Sequence, residues 1–468
     1  MESFHGPVMS RPVKMVIAVT VLGVLAYSLL GEEPTRDSGC EVAGRHSDRP
    51  CASTTRAARS TGSVPLDARA FVDTIGVNTH LFYVDTSYGN YAMVRRRLRE
   101  LGVRHIRDGF DPARTPAFFT RVNDLGAAGI KSTLIACRVE PAGMPWTIYV
   151  KDAKTKVRSS LDALEGVNEP DLVAAGTDWI RSARGCQRRM HDQAKGTTFG
   201  PPLKVPVLGP SIQAPDMQRL GDISDRADAG TIHPYADGMR PNRPGVYGYA
   251  PQTWSVRAYH FGGASVPVHA TETGYHDAMN TTSSHAPTSP RAISIYMPRL
   301  FLEHAKDGIT RTFAYELVDE QPDRARADVE LNFGLFESDW SYKPSATALR
   351  NMIALLDSPR RSPRARLRYS VSKTVDADGP GPRGTVKHML LQKADNSYWL
   401  ALWQDSEVWD AQARTDIHNP SVTVRVTLDR TMKLRKYRPT QGLRASRSRT
   451  ARSITADVGD DVLLIKMS

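Results

Sequence analysis

From Phe71 onward, short apolar runs alternate with amphipathic stretches at intervals of roughly 35 residues, the pattern of repeated strand–helix units with parallel strands. Eight runs predict strands, at residues 74–79, 103–108, 131–136, 163–168, 205–209, 229–233, 266–271 and 310–315. Helical spacing is clearest at Tyr91, Val94, Leu98 and Leu101, at Ile293, Met297, Leu300 and His304, and at Leu349, Ile353 and Leu356. Each set places its apolar side chains on one face. Gly102 and Gly308 are placed to end two of these helices. Eight such units spread over about 290 residues predict an α/β fold, a closed (β/α)8 TIM barrel, rather than an open doubly wound sheet.

After Leu356 the pattern changes. Pro and Arg dominate residues 358–368, and strict alternation then appears at Val422, Val424, Val426 and Leu428. Two apolar runs flank the turn Ala394-Asp395-Asn396-Ser397, and residues 462–465 offer a closing strand, so a small C-terminal all-β sandwich domain is predicted over 359–468. Upstream, Arg11 and Lys14 precede an uncharged apolar run at 15–30, the layout of an export signal. Residues 1–31 are therefore expected to be a signal peptide or signal anchor, 32–65 a flexible Ser/Thr/Arg/Pro-rich linker, and 66–358 the barrel. The expected location is extracellular, either secreted or held at the membrane by an uncleaved N-terminal segment.

Composition narrows the partners. Hydrophobic residues at 40% and charged residues at 24% are ordinary for a folded chain and exclude bulk disorder. The net charge of +12 suits an acidic partner, but it comes largely from dispersed arginines. The densest basic stretch, from Arg435 to Arg452, interleaves only one aromatic, Tyr437, so nucleic acid is not the expected partner. Loop residues Arg240, Arg243 and Arg291 are the candidates to meet an acidic polysaccharide, against the alternative of a solvated surface. Four cysteines without a close Cys-x-x-Cys pair argue against structural zinc; the expected pairs are Cys40–Cys51 and Cys137–Cys186. Trp399, Trp403 and Trp409 are expected to fill a core rather than a sugar-stacking surface.

Reactive groups in such a barrel sit where strands end, because the eight following loops open on one face. The fourth strand ends in Gly166-Val167-Asn168-Glu169-Pro170 and the seventh in Thr271-Glu272-Thr273-Gly274, so two carboxylates face one cleft. Hydrolysis of a glycosidic bond needs such a pair, one to protonate the departing oxygen and one to attack the anomeric carbon or activate water. Arg107, at the end of the second strand, is the candidate cation that keeps one of them ionised.

Asn168-Glu169-Pro170 on strand four and Glu272 on strand seven resemble the signature of clan A of the glycoside hydrolases, over about Phe71 to Leu356. That resemblance implies a retaining enzyme with Glu169 as acid/base, Glu272 as nucleophile, Asn168 on the sugar 2-hydroxyl and Arg107 as the partner of the nucleophile. His233-Pro234-Tyr235 on strand six is similar to the clan's aromatic-polar element, in which Tyr235 bonds the nucleophile or the sugar and His233 binds substrate or positions Glu272. His80 after strand one and Tyr315-Glu316 after strand eight are candidates for the glycone subsite. Many clan members carry tryptophan where this chain has Tyr315, and Trp340 is the candidate substitute. No His-Glu-x-x-His, Walker or Gly-x-Ser-x-Gly element is present, so zinc-protease, nucleotide-hydrolase and serine-esterase chemistry lack their parts; no cofactor and no metal are expected. The expected substrate is an oligo- or polysaccharide. A transglycosylase and a non-catalytic, wall-associated carbohydrate-binding barrel stay open beside the hydrolase, as does the oligomeric state.

Overall fold

Barrel strands here have almost no wet face. Ile75–Asn78 and Val268–Thr273 are buried at every position, and Leu161–Val167 is buried from Ala163 onward, as a parallel sheet covered on both sides requires. The computed structural model describes residues 62–138, 147–173, 178–243, 249–373 and 385–468. The expected N-terminal signal, nearly all of the linker and the Cys40–Cys51 pair lie outside the described residues. No helix among the described residues is long and apolar enough to cross a membrane.

The first barrel strand, Ile75–Asn78, pairs in parallel with the second, His105–Gly109, and with the eighth, Arg311–Ala314. Outward from these run the third, Lys131–Cys137, and fourth, Leu161–Val167, on one side, and the seventh, Val268–Thr273, and sixth, Gly230–Ile232, on the other. The fifth place is filled by residues 206–211, joined only by isolated parallel bridges, Leu164 to Val207, Asn168 to Ser211 and Leu208 to Ala229. Leu208 N–H reaches the Leu164 carbonyl at 2.7 Å and Gly209 N–H that of Ala229 at 2.9 Å. Pro206 and Pro210 remove two donors from this segment, which explains why its ladder is sparse. The ring is closed nonetheless, and the fold is the predicted TIM barrel followed by a β domain.

Local chemistry ends the helices where the sequence suggests. Asn90 caps Tyr91–Leu101 by accepting from Met93 N–H, and Gly102 closes it in the left-handed region at φ 79°, where a side chain would be strained. Ser289 caps Pro290–Lys306, with Pro290 in the first turn where no donor is missed. Cys137, at the end of strand three, is disulfide-bonded to Cys186 on helix Trp179–Lys195, as expected from the sequence.

The C-terminal domain hangs on one strand, Tyr398–Asp405, which is buried on both faces. Tyr398, Leu400 and Leu402 point into the domain's own core with Val424, Val426 and Ile465. Trp399, Ala401 and Trp403 belong instead to the core that includes the barrel. The tryptophans are thus core, and they fill the seam between the two halves. Leu66–Asp67, ahead of the first barrel strand, adds a parallel edge beside Leu391 and Gln392. The long strand Val422–Tyr437 changes register between Thr427 and Met432 and carries neighbours on both sides.

Charges line the same seam. Glu303, buried on helix Pro290–Lys306, accepts from Trp403 Nε1 at 2.6 Å and from Lys387 at 3.1 Å. Arg299 gives its donors to the Ser406 and Asp460 carbonyls. Arg240 pairs with Asp405 at 2.9 Å and Glu407 at 3.2 Å, Arg291 with Asp460 at 2.9 Å, and Arg243 approaches Glu407 at 3.8 Å. Of the three arginines expected to meet an acidic polysaccharide, Arg240 and Arg291 therefore hold the C-terminal domain to the barrel, while Arg243 stays half exposed. Replacing Trp403 by Ala should cost about 3–5 kcal/mol, read as a lower denaturant midpoint; a loss below about 1 kcal/mol would mean the seam does not stabilise the fold.

Candidate active site

Two strand ends create the site. Strand four leaves the sheet at Val167, and Glu169 then adopts φ 42°, a left-handed conformation that costs a non-glycine residue roughly 1–3 kcal/mol unless its surroundings enforce it. The enforcing contacts come from the fifth segment: Glu169 N–H donates to Ser211 O at 3.1 Å and lies 3.2 Å from its Oγ. Pro170 then opens a short helix, Pro170–Val173, and turns the chain away. At strand seven, Glu272 is followed by Thr273 and Gly274, and a Cβ on Gly274 would sit 2.4 Å from the Tyr315 carbonyl. Glycine there allows strand eight to close against strand seven beside the carboxylate.

Arg107 organises the floor. Its Nε and Nη2 grip Glu165 at 2.7 and 2.8 Å, its Nη1 reaches Glu272 at 2.5 Å, and Nη2 also donates to Asn168 Oδ1 at 2.6 Å. One planar cation thus orients three side chains from strands four and seven, a geometry that a lysine cannot reproduce.

His233 bridges the two carboxylates above that floor. Its Nδ1 lies 2.8 Å from Glu169 and 3.6 Å from Glu272, while Nε2 meets Thr271 Oγ1 at 3.0 Å. Tyr235 donates its hydroxyl to Glu272 at 3.0 Å, and Gln213 donates to Glu169 at 3.3 Å. A carboxylate oxygen of Glu169, one of Glu272 and a His233 nitrogen all lie within 4.8 Å of one another. These three groups would suit a metal ion by donor type, but Arg107 already pairs with Glu272 through its other oxygen.

The electrostatics divide the groups. Burial opposes ionisation of Glu272, yet the positive charges of His233 and Arg107 overcome it and hold the carboxyl below its ordinary range. Burial likewise opposes a charged His233, and the negative charge of Glu272 with the hydrogen bond to Glu169 raises it above the ordinary imidazole value. Arg107 is held firmly charged: burial disfavours its charge, but Glu165 and Glu272 outweigh that. His80 is pushed down to about 4, chiefly by burial, so it is neutral near pH 7.

The structure brings nearly all the expected residues together. Asn168, Glu169, Arg107, His233, Tyr235 and Glu272 form one hydrogen-bonded group, and His80 adjoins it, stacked on Tyr83 at 4.7 Å and edge-on to Tyr315 at 5.7 Å. Tyr315 faces Phe333 at 5.2 Å, and Glu316 is wholly buried with the Tyr88 hydroxyl at 2.6 Å. Trp340 is the exception. It is 6% exposed, packs on Phe336, and takes Arg97 on its carbonyl, so it serves the core and offers no ring face as a sugar platform. Sequence reading missed Glu165, although an acidic residue in mid-strand, on the same face as Ala163 and Val167, signals a buried ion pair. Ser211 and Gln213 were missed because the fifth segment carries two prolines and little ladder.

The closed eight-stranded barrel followed by a β domain is a fold that solved glycoside hydrolase structures share. No family model matches the sequence, and no curated protein matches it. Solved structures do. A family 39 glycoside hydrolase from the gut symbiont Bacteroides cellulosilyticus WH2 superposes with a TM-score of 0.59 at 16% identity, over 86% of this chain and 82% of that one. A glucosidase from Croceicoccus marinus gives 0.56 at 12% identity over 87% and 97%, and a family 39 enzyme from Xanthomonas axonopodis pv. citri gives 0.51 at 15% over 87% and 96%. The likeness spans barrel and β domain alike and concerns the fold.

Removing the central cation tests the site's electrostatics. Arg107→Met leaves Glu165 and Glu272 buried without their partner, which should cost about 3–5 kcal/mol near neutral pH. Unpaired buried carboxylates titrate high, so their penalty is absent below the unfolded value and grows as pH rises from there toward the raised folded value. Wild-type Glu272, titrating low, contributes stability above its unfolded value and loses it as pH falls. The gap between wild type and variant should therefore narrow on acidification in denaturant titrations; a gap independent of pH would contradict the ion-pair account.

Proposed function

We propose that this chain is a retaining glycoside hydrolase that cleaves an extracellular or cell-surface glycan by double displacement. The observation that carries the reading is that one carboxylate oxygen of Glu169 and one of Glu272 lie within 4.8 Å of each other, with His233 Nδ1 2.8 Å from the first residue and 3.6 Å from the second. Retaining enzymes hold the two carboxyl groups about 5–5.5 Å apart, whereas inverting enzymes leave roughly 6.5–9.5 Å for a water. A non-catalytic barrel would need neither this spacing nor a guanidinium shared between a buried mid-strand carboxylate and the one at the mouth.

In the first step Glu169 gives its proton to the glycosidic oxygen while ionised Glu272 attacks the anomeric carbon, so the C–O bond to the leaving group breaks as the glycosyl ester forms. In the second, Glu169 takes a proton from water, whose oxygen displaces the ester and restores Glu272. Arg107 and Tyr235 stabilise the carboxylate before attack and as it leaves. His233, 2.8 Å from Glu169 and 3.0 Å from Thr271 Oγ1, holds the acid/base side chain in position. Asn168, fixed by Arg107, is placed for the sugar 2-hydroxyl. An extracellular site of action is supported by the apolar run at 15–30 after Arg11 and Lys14 and by the Cys137–Cys186 disulfide.

Glu272→Gln should remove turnover from the purified, folded enzyme, while Glu169→Gln should slow it by about 10²–10⁴-fold and least for substrates with good leaving groups. Undiminished turnover in Glu272→Gln would sink the assignment. Because Glu272 is held below its ordinary range, the acidic limb of the kcat/KM profile should fall below the usual glutamate value of about 4.3.

A further inference from the structure

Two side chains hold the acid/base carboxylate by the same oxygen. Glu169 Oε1 lies 2.8 Å from His233 Nδ1 and accepts from Gln213 Nε2 at 3.3 Å. His233 is buried, with its other ring nitrogen 3.0 Å from Thr271 Oγ1, so packed strand ends fix that contact. Gln213 differs. It is half-buried and caps a single 3-10 turn, Ala214–Asp216, in the loop after the fifth segment. A glutamine side chain loses much rotamer freedom when it is fixed, so its contact lasts only if the backbone beneath it is held.

Asp171 holds it. Its Oδ2 accepts from the Gln213 backbone N–H at 2.9 Å, and the Gln213 carbonyl accepts from Asp216 N–H at 2.9 Å. Asp171 follows Glu169 on the short helix Pro170–Val173. A closed circuit results: from Glu169 along the chain to Asp171, across to the Gln213 backbone, and by the Gln213 amide back to Glu169. Ser211 joins the same two segments, taking Glu169 N–H on its carbonyl and giving its hydroxyl to Asn168 Oδ1 at 3.4 Å. The circuit is costly to keep. Asp171 is 7% exposed, and its Oδ1 has no hydrogen-bond partner among the described residues. Burial, with the neighbouring carboxylates of Glu169 and Asp216, pushes it up to about 6. A buried carboxylate so poorly partnered destabilises a fold, and the contact it does make places Gln213.

We propose that Asp171 is a positioning residue, which acts through the Gln213 backbone to hold the Gln213 amide on Glu169 and so aims the acid/base carboxyl at the departing oxygen, a role that rests on the glycosidase reading. In the first displacement Glu169 gives its proton to that oxygen, and the carboxylate left behind keeps the Gln213 N–H on Oε1. Without Asp171 the amide leaves Oε1, the carboxyl gains rotamers and proton transfer slows. Attack by Glu272, held by Arg107 and Tyr235, is untouched. The loss therefore falls on leaving groups that need a proton.

Aryl glycosides that differ only in the leaving group separate this role from general destabilisation. The intact chain is screened with 2,4-dinitrophenyl and phenyl glycosides of glucose, xylose and galactose, and the sugar it turns over is kept. Asp171→Ala should lower kcat/KM on the phenyl glycoside by about ten-fold or more, and by under about three-fold on the dinitrophenyl glycoside, whose departure needs no acid. Gln213→Ala should show the same pattern, and the double variant should be no worse than Asp171→Ala. Asp171→Asn, which keeps an acceptor oxygen for the Gln213 N–H, should restore most of the rate. Equal losses on both leaving groups, or losses that multiply in the double variant, overturn the proposal. Gln213 is half-buried on a loop, so its variant reports even if Asp171→Ala fails to fold, and an unchanged rate on the phenyl glycoside is equally fatal. Glu169→Gln sets the reference. If it shows the leaving-group dependence and the Asp171 and Gln213 variants do not, this role alone falls; if wild type hydrolyses none of the panel, or Glu169→Gln shows no such dependence, the glycosidase reading falls and this role with it.

Discussion

Everything at the mouth of this barrel depends on the Arg107 guanidinium. Charge buried at the end of strand two is tolerable only because Glu165 and Glu272 neutralise it, and those two carboxylates are tolerable only because Arg107 is there. The fork reaches Glu165 in mid-strand, Asn168 at the strand end and Glu272 three strands away. It therefore couples the register of strand four to that of strand seven. The same contact that fixes the geometry also depresses the Glu272 carboxyl, so shape and ionisation have one cause.

The β domain uses related physics for a different end. Arg240, Arg291 and Arg299 bind acidic side chains and carbonyls of the C-terminal domain across the seam, and Trp403 is buried there with its N–H on Glu303. Charged groups at such a desolvated seam cost stability if left unpaired, which favours one fixed arrangement of the halves. The edge strand Leu66–Asp67 adds a backbone link just before the barrel begins.

How much of this was legible follows from periodicity. Seven barrel strands lie where apolar runs predicted them, because a buried parallel strand must be apolar whatever its neighbours. The fifth, at 206–211, was legible as a run but not as a source of site residues: Pro206 and Pro210 thin its ladder, and the contacts of Ser211 and Gln213 with Asn168 and Glu169 are tertiary. Glu272 and Glu169 were legible from strand ends, whereas Glu165 required noticing that a charge in a dry strand needs a partner. Trp340 was misread because residue type suggested a sugar platform, and only packing against Phe336 decides that it is core. The arginine contacts across the seam join residues more than 100 positions apart, and nothing local encodes them.

The account stands on Glu272 being the group that attacks the anomeric carbon. Incubation with a panel of activated 2-deoxy-2-fluoro glycosides, which slow the second displacement, followed by proteolysis and mass spectrometry of the peptides, tests that directly. The account predicts one added glycosyl group, on the peptide and residue Glu272, with Glu169 unmodified. A glycosyl group on any other residue, or turnover of these substrates with inversion at the anomeric carbon, would contradict it.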